Sequence, residues 1–148
     1  MTLFRLIVVL IGLAVLFPAA AGAQPALPVF DQGRPYLREV DFQRAIQPYQ
    51  AAVAADGRNA RAHYWLGFAY LYVYRQYRVG LAPYAAGYLP RALASLRQAV
   101  QLDQKFVPAV LALHDALVLS GQDAEATALL KQLLEQTRPP GDYSIPPG

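Results

Sequence analysis

An all-α fold, a short stack of antiparallel helix hairpins, is what this sequence predicts, and three observations carry the expectation. Ala92-x3-Leu96-x2-Ala99 returns as Ala126-x3-Leu130-x2-Leu133, a step of 34 residues. Upstream of each copy stands a matching stretch, Leu66-Gly67-x2-Tyr70 and then Leu113-His114-x2-Leu117. No stretch shows the sustained two-residue alternation that marks half-buried strands. A small residue facing a large one at helical spacing lets two short helices pack closely and stack on a copy of themselves. A period in the thirties belongs to helical repeat arrays. Arrays of this kind hold partners and rarely do chemistry.

The elements follow in order. Residues 24–40 contain three prolines and Gly33, and read as an extended linker ending in a short helix from Pro35 to Val40. Asp41 is expected to cap the first long helix, its carboxylate accepting from free amides of the next turn. That helix carries Ala45, Tyr49, Ala52 and Val53 on one face and stops at Asp56-Gly57. Pro48 inside it predicts either a kink or a later start. Asn59 caps the second helix, whose inward residues Ala62, Leu66, Ala69, Tyr70 and Val73 recur at three- and four-residue steps. It runs to about Arg78, since no breaker precedes Gly80.

Residues 80–87 (GLAPYAAG) form a loop, and Pro90 suits the first turn of the next helix, where its missing amide costs nothing. That helix ends at about Leu102 and buries Leu93, Leu96, Ala99 and Val100. Pro108 opens another, with Val110, Leu113, Ala116 and Leu117 inward and a stop at Ser120-Gly121. The last spans about Asp123 to Gln136 on a stripe of Ala126, Leu129, Leu130 and Leu133. Residues 137–148, rich in proline and glycine, are expected to be a flexible tail.

At the other end, Arg5 precedes a run of 12 apolar residues from Leu6 to Phe17, and then Pro18 and a small-x-small end at Ala21-Gly22-Ala23. This order predicts a signal peptide over residues 1–23, cut after Ala23, and hence a periplasmic or secreted product. The run is short of the roughly 20 apolar residues a membrane span requires, so membrane attachment is expected only if the segment is retained. The chain has no cysteine, so any exported form folds without disulfides. Its formal charge of +3 is scattered rather than gathered in a basic stripe, and no nucleic-acid partner is expected.

These residues resemble tetratricopeptide repeats, whose hairpins follow a tryptophan–leucine–glycine–tyrosine, alanine–aromatic–alanine, proline pattern. Leu66, Gly67 and Tyr70 match a first helix, and Ala92, Leu96 and Ala99 a second, with leucine replacing the aromatic. Leu113 and Leu117, then Gly121, Ala126, Leu130 and Leu133, match one further repeat, and Ala45, Tyr49 and Ala52 the second helix of an earlier, incomplete one. The resemblance spans residues 41–136 and implies a right-handed stack of about two and a half repeats. Four departures stand out. Trp65 precedes Leu66 directly, where the pattern has tryptophan at the position of His63. Gly57 and Gln104 replace the closing proline, and His114 fills a site usually kept small. Ala45 to Ala92 is 47 residues, which against a step of 34 implies an insertion of 13, near residues 74–86.

The resemblance further implies that first helices line a concave groove for a protein or peptide partner. Its groove-facing positions are Arg61, Tyr64, Phe68 and Tyr72, then Leu111, Asp115 and Val118. The first four share one helical stripe beside the core stripe, and a cation with three aromatics suits a peptide. The competing expectation is that the N-terminal segment or the insertion covers that stripe. Fewer than three full repeats is short for an array, so self-association or capping by residues 24–36 is expected. A second candidate surface is a tyrosine-rich rim of Tyr74, Arg75, Tyr77, Arg78 and Tyr84. It suits stacking on cell-envelope carbohydrate or, alternatively, packing the 80–87 loop against the helix.

Catalysis is not expected. His63 and His114 lie on different helices without metal-ligand spacing. Asp123 and Glu125 suit a helix start, Ser95, Ser120 and Ser144 are isolated, and no phosphate loop or nucleophile elbow appears. No cofactor or metal is expected.

Overall fold

The computed structural model describes residues 26–138. The expected signal peptide, residues 1–23, and residues 139–148 of the expected tail lie outside that range. The described chain is all-helical: α1 (Glu39–Ala55), α2 (Ala60–Arg78), a 3-10 turn (Pro83–Gly87), α3 (Tyr88–Leu102), α4 (Val107–Leu119) and α5 (Asp123–Thr137). Residues 26–37 precede α1 as an extended strap.

Helix ends follow local chemistry. The Asn59 side chain accepts from the Ala62 amide at 3.0 Å and so caps α2, as expected. The α2 terminus is closed by Gly80 in the left-handed region (φ 81°). The Gly80 amide donates to the Tyr77 carbonyl and the Leu81 amide to the Gln76 carbonyl, each at 2.9 Å. α4 ends the same way at Gly121 (φ 76°), with Gln122 donating back to Leu117. This paired closure satisfies carbonyls that the last turn would otherwise leave bare. Asp56 and Asp103 each fold their carboxylate onto the amide two residues on, making matching corners after α1 and α3.

Four expectations near α1 are corrected. No helix forms over residues 35–38, because the Tyr36 amide and carbonyl are both engaged by side chains from elsewhere. Asp41 is not the N-cap: α1 starts at Glu39 after Arg38, and Asp41 sits in the first turn, where Arg38 grips its carboxylate at 2.8 and 3.0 Å. That guanidinium also holds the Asp41 carboxyl below its usual pKa. The buried face of α1 is Phe42, Ile46 and Tyr49, whereas Ala45, Ala52 and Val53 are only half-buried. Pro48 neither starts nor interrupts the helix, which runs through it.

The helices alternate in a regular stack. Tyr64 of α2 meets Phe106 at the start of α4 (ring centroids 5.1 Å apart), and Arg75 further along α2 pairs with Asp115 further along α4 at 2.8 Å. The two first helices therefore run parallel and side by side. α3 and α5 do likewise: Arg97 binds Gln122 and Glu125 near the start of α5, and Gln104 accepts from Gln132 and Gln136 near its end. Between the layers lies one apolar core. Val110, Leu113, Ala116 and Leu117 of α4 and Leu93, Leu96 and Ala99 of α3 are buried as the sequence predicts. Of the predicted α5 stripe only Ala126 is fully buried; Leu129, Leu130 and Leu133 are half-covered, since α5 has one neighbouring layer. Val100 is likewise half-covered.

The insertion is absorbed without breaking this pattern. α2 runs 19 residues against 13 for α4, and the remainder forms the corner and 3-10 turn before α3. Among the described residues no helix is long and apolar enough to cross a membrane.

Candidate functional site

The outer face of α2 carries Tyr64, Phe68 and Tyr72 in one stripe, and the strap lies across it. Phe30 is the anchor. Its side chain is 2% exposed, with its ring 6.4 Å from Phe68, 5.5 Å from Tyr72 and 6.4 Å from Tyr49. Tyr36, 1% exposed, stacks on Phe30 at 5.3 Å and meets Phe42 and Tyr72 edge-on. Offset and edge-to-face aromatic pairs each add about 0.5–1.5 kcal/mol beyond the area they bury, so the cluster fixes the strap firmly.

The main chain of the strap is held by side chains of the helical body. The Tyr49 hydroxyl donates to the Pro28 carbonyl at 2.9 Å, and the Tyr72 hydroxyl to the carbonyls of Gln32 and Arg34 at 2.6 and 3.2 Å. Gln76 does two jobs with one amide. Its Oε1 accepts from the Tyr36 amide at 2.8 Å while its Nε2 donates to the Arg34 carbonyl at 3.3 Å. The Tyr84 hydroxyl then donates to the Tyr36 carbonyl at 2.8 Å. Gln76 is the buried polar residue among those described, and a buried amide stays only where its hydrogen bonds are met.

The residues singled out in the sequence divide accordingly. Tyr64, Phe68 and Tyr72 are half-buried on the common stripe, with Tyr64 and Phe68 rings 5.7 Å apart. Arg61 is exposed at the start of the same helix. Leu111, 49% exposed, and Val118 lie on the outer face of α4 together with Val107. Asp115 shares that face and is taken by Arg75, with His114 Nδ1 3.5 Å from its other oxygen. The imidazole in the usually small position thus finds a partner on its own helix. Of the rim residues, Tyr74 and Tyr77 pair at 5.8 Å and Tyr77 and Arg78 are exposed. Tyr84 turns inward, against Phe42 and Tyr88. Gln76, Tyr49, Phe30 and Tyr36 were not singled out as site residues. The signal available for Phe30 and Tyr36 is their place as two aromatics inside a proline-containing segment.

Burial also marks these phenols. It pushes the Tyr49 hydroxyl up to about 12, with the nearby Tyr36 adding to the effect. It raises Tyr88 to about 12, helped by the hydrogen bond to Glu39, and it raises Tyr84 and Tyr64 as well. A raised folded-state pKa means that the folded protein keeps protons which the unfolded chain loses near 10. Stability from this source is whole below pH 10 and drains away as pH climbs through 12. Thermal melts should therefore give a midpoint insensitive to these groups up to pH 10 and falling steeply between pH 10 and 12. Tyr49→Phe should flatten part of that fall.

The tetratricopeptide repeat family model matches residues 84–144, which takes in most of the 3-10 turn with α3, α4 and α5. Over that segment the chain is similar to tetratricopeptide repeats. No curated protein and no solved structure matches it. As a class such repeats are protein-interaction modules that bind protein partners and are typically non-enzymatic scaffolds.

Proposed function

We propose that this protein docks a peptide or partner helix along the face built by α2 and α4. The observation that carries this reading is the contrast between the two halves of that face. The α2 half already cradles an extended polypeptide on Phe68 and Tyr72, with Tyr64 beside them toward α4. The α4 half leaves Val107, Leu111 and Val118 exposed on one stripe, with Asp115 and Arg75 between the halves as a polar marker. A contiguous apolar strip with a charged centre is the profile of a surface that seats a partner. We read the module as non-enzymatic and without cofactor, and as exported through residues 1–23. Intact-mass measurement of the natural product tests the export: a mass that still includes Met1 to Ala23 removes it.

The docking itself is tested by capture from envelope extract on the immobilised chain. Proteins retained by the unsubstituted chain should be lost with Leu111→Asp, by tenfold or more, and weakened by Tyr64→Ala. Retention indifferent to both changes would refute the reading. The carbohydrate alternative rests on Tyr74 and Tyr77, since the Tyr84 hydroxyl is committed to the strap. Release from insoluble cell-wall glycan by Tyr77→Ala, with protein capture absent, would favour it.

A further inference from the structure

We infer that the strap is a built-in stand-in for the partner, and that the α2 groove accepts in its place an extended peptide of defined pattern. That pattern is an aromatic, a second aromatic six residues later, and a bulky apolar side chain four residues before the first. The inference deepens the docking function and rests on it.

Three features lead there. First, the hydrogen bonds between the strap and the body run from side chains to main chain: Tyr49, Tyr72, Gln76 and Tyr84 engage Pro28, Gln32, Arg34 and Tyr36. None of the described backbone–backbone hydrogen bonds outside the helices involves residues 26–37. Side chains that read carbonyls and an amide do not read sequence, so any extended chain satisfies them. Specificity falls to the two aromatic seats filled by Phe30 and Tyr36, spaced six residues apart.

Second, the strap leaves room. Ala26, Leu27 and Pro28 lie over Pro48, Ala51 and Ala52 of α1 around an apolar hollow of about 380 Å³. Alanine at the first position is too small to fill it. An occupant with leucine there gains buried apolar area that the strap does not supply.

Third, the hinge is open. Leu37 is exposed, the Arg38 carbonyl already belongs to the first turn of α1 while its side chain pairs with Asp41 at the surface, and α1 begins directly afterwards. The strap can leave while α1 keeps its own helix bonds. An intramolecular occupant competes at an effective concentration in the millimolar range for a short link. A free peptide of identical sequence therefore binds poorly to the unsubstituted chain. One that also fills the hollow, or a chain whose strap is weakened, shifts the exchange.

The experiment uses a fluorescent peptide of residues 26–37, a second with Ala26→Leu, and a third with Phe30→Ala and Tyr36→Ala. They are titrated by anisotropy onto the full chain and onto its Phe30→Ala form. The Phe30→Ala chain should bind the first peptide at least tenfold more tightly than the unsubstituted chain does. The Ala26→Leu peptide should improve this by about a further tenfold, and the third peptide should not bind. In the unsubstituted chain, hydrogen exchange of residues 31–36 should quicken when the Ala26→Leu peptide is added in excess. The inference is overturned if folded Phe30→Ala takes none of the peptides or takes the third equally well. It is also overturned if exchange over 31–36 is unmoved, or if Phe30→Ala loses its helical circular dichroism, which would make the strap an indispensable part of the core. Capture that depends on Leu111 yet ignores Phe30→Ala would leave the docking function standing with this inference gone. Peptide exchange without Leu111-dependent capture would do the reverse.

Discussion

Phe42→Ala is expected to cost about 3–5 kcal/mol, the range for emptying a buried aromatic site. Phe42 is fully buried, and its ring meets Tyr36, Tyr70, Tyr84 and Tyr88 at 5.5 to 6.3 Å. These four come from the strap, α2, the 3-10 turn and α3, so one truncation loosens every element of the N-terminal half. A cavity there has little freedom to collapse, because three of the four surrounding phenols are tethered, Tyr36 through its hydroxyl to the Asp31 carbonyl. Tyr84 is tied to Tyr36, and Tyr88 is tied to Glu39 and Gln43. Domains of this size are stable by only about 5–15 kcal/mol, and guanidinium denaturation should show a midpoint shift that removes much of that margin. Leu134→Ala, at a side chain 68% exposed, serves as the control and should change little. A Phe42→Ala protein as stable as the control would mean that the aromatic cluster does not hold the strap and hairpins together.

The second large effect is expected at Gly67, where adding one methyl should destabilise the fold by up to about 2 kcal/mol net. A Cβ there would stand 2.7 Å from Leu96 Cγ, 3.0 Å from the Leu96 amide nitrogen and 3.0 Å from Ser95 Cβ. Two of these atoms belong to the backbone or to the root of a side chain, so relief requires α2 and α3 to move apart. Overpacking of this kind costs about 1–3 kcal/mol, offset by about 1 kcal/mol from alanine's better helix propensity. Urea unfolding should show a lower midpoint at unchanged slope. A higher midpoint would contradict the close approach of the two helices.

The same glycine shows how far the sequence can be read. Gly67 beside Leu66, set against Ala92, Leu96 and Ala99, announces two helices in contact, and they are. The α4 stripe of Val110, Leu113, Ala116 and Leu117 is legible for the same reason: a three-and-four spacing has a single inward face. Asn59, Gly80 and Gly121 announce helix ends because their chemistry acts within a few residues. α1 is harder. Its repeat-like alanines point to one face, but Phe42 and Ile46 are larger and win the core, and only their partners in α2 and α3 decide that. The strap has no period at all. Its conformation is set by Gln76, Tyr72 and Tyr84, some 38 to 48 residues away. What the sequence does offer is the aromatic stripe and the possibility of an N-terminal cover. It does not show which aromatic enters the groove or what grips its main chain.

The direction in which residues 26–36 run has an architectural outcome. Ala26 lies at the corner shared by Asp56 and Asn59, next to the far end of α1 from the point where the strap joins it. Residue 26 thus sits at the α1–α2 corner, while the Gly80 corner faces the opposite way. At 17 residues, α1 is about 25 Å long. Unlatching residues 26–36 would transfer the exit point by that length to the other pole of the molecule. Release would thus exchange the pole of the helical body from which the strap departs.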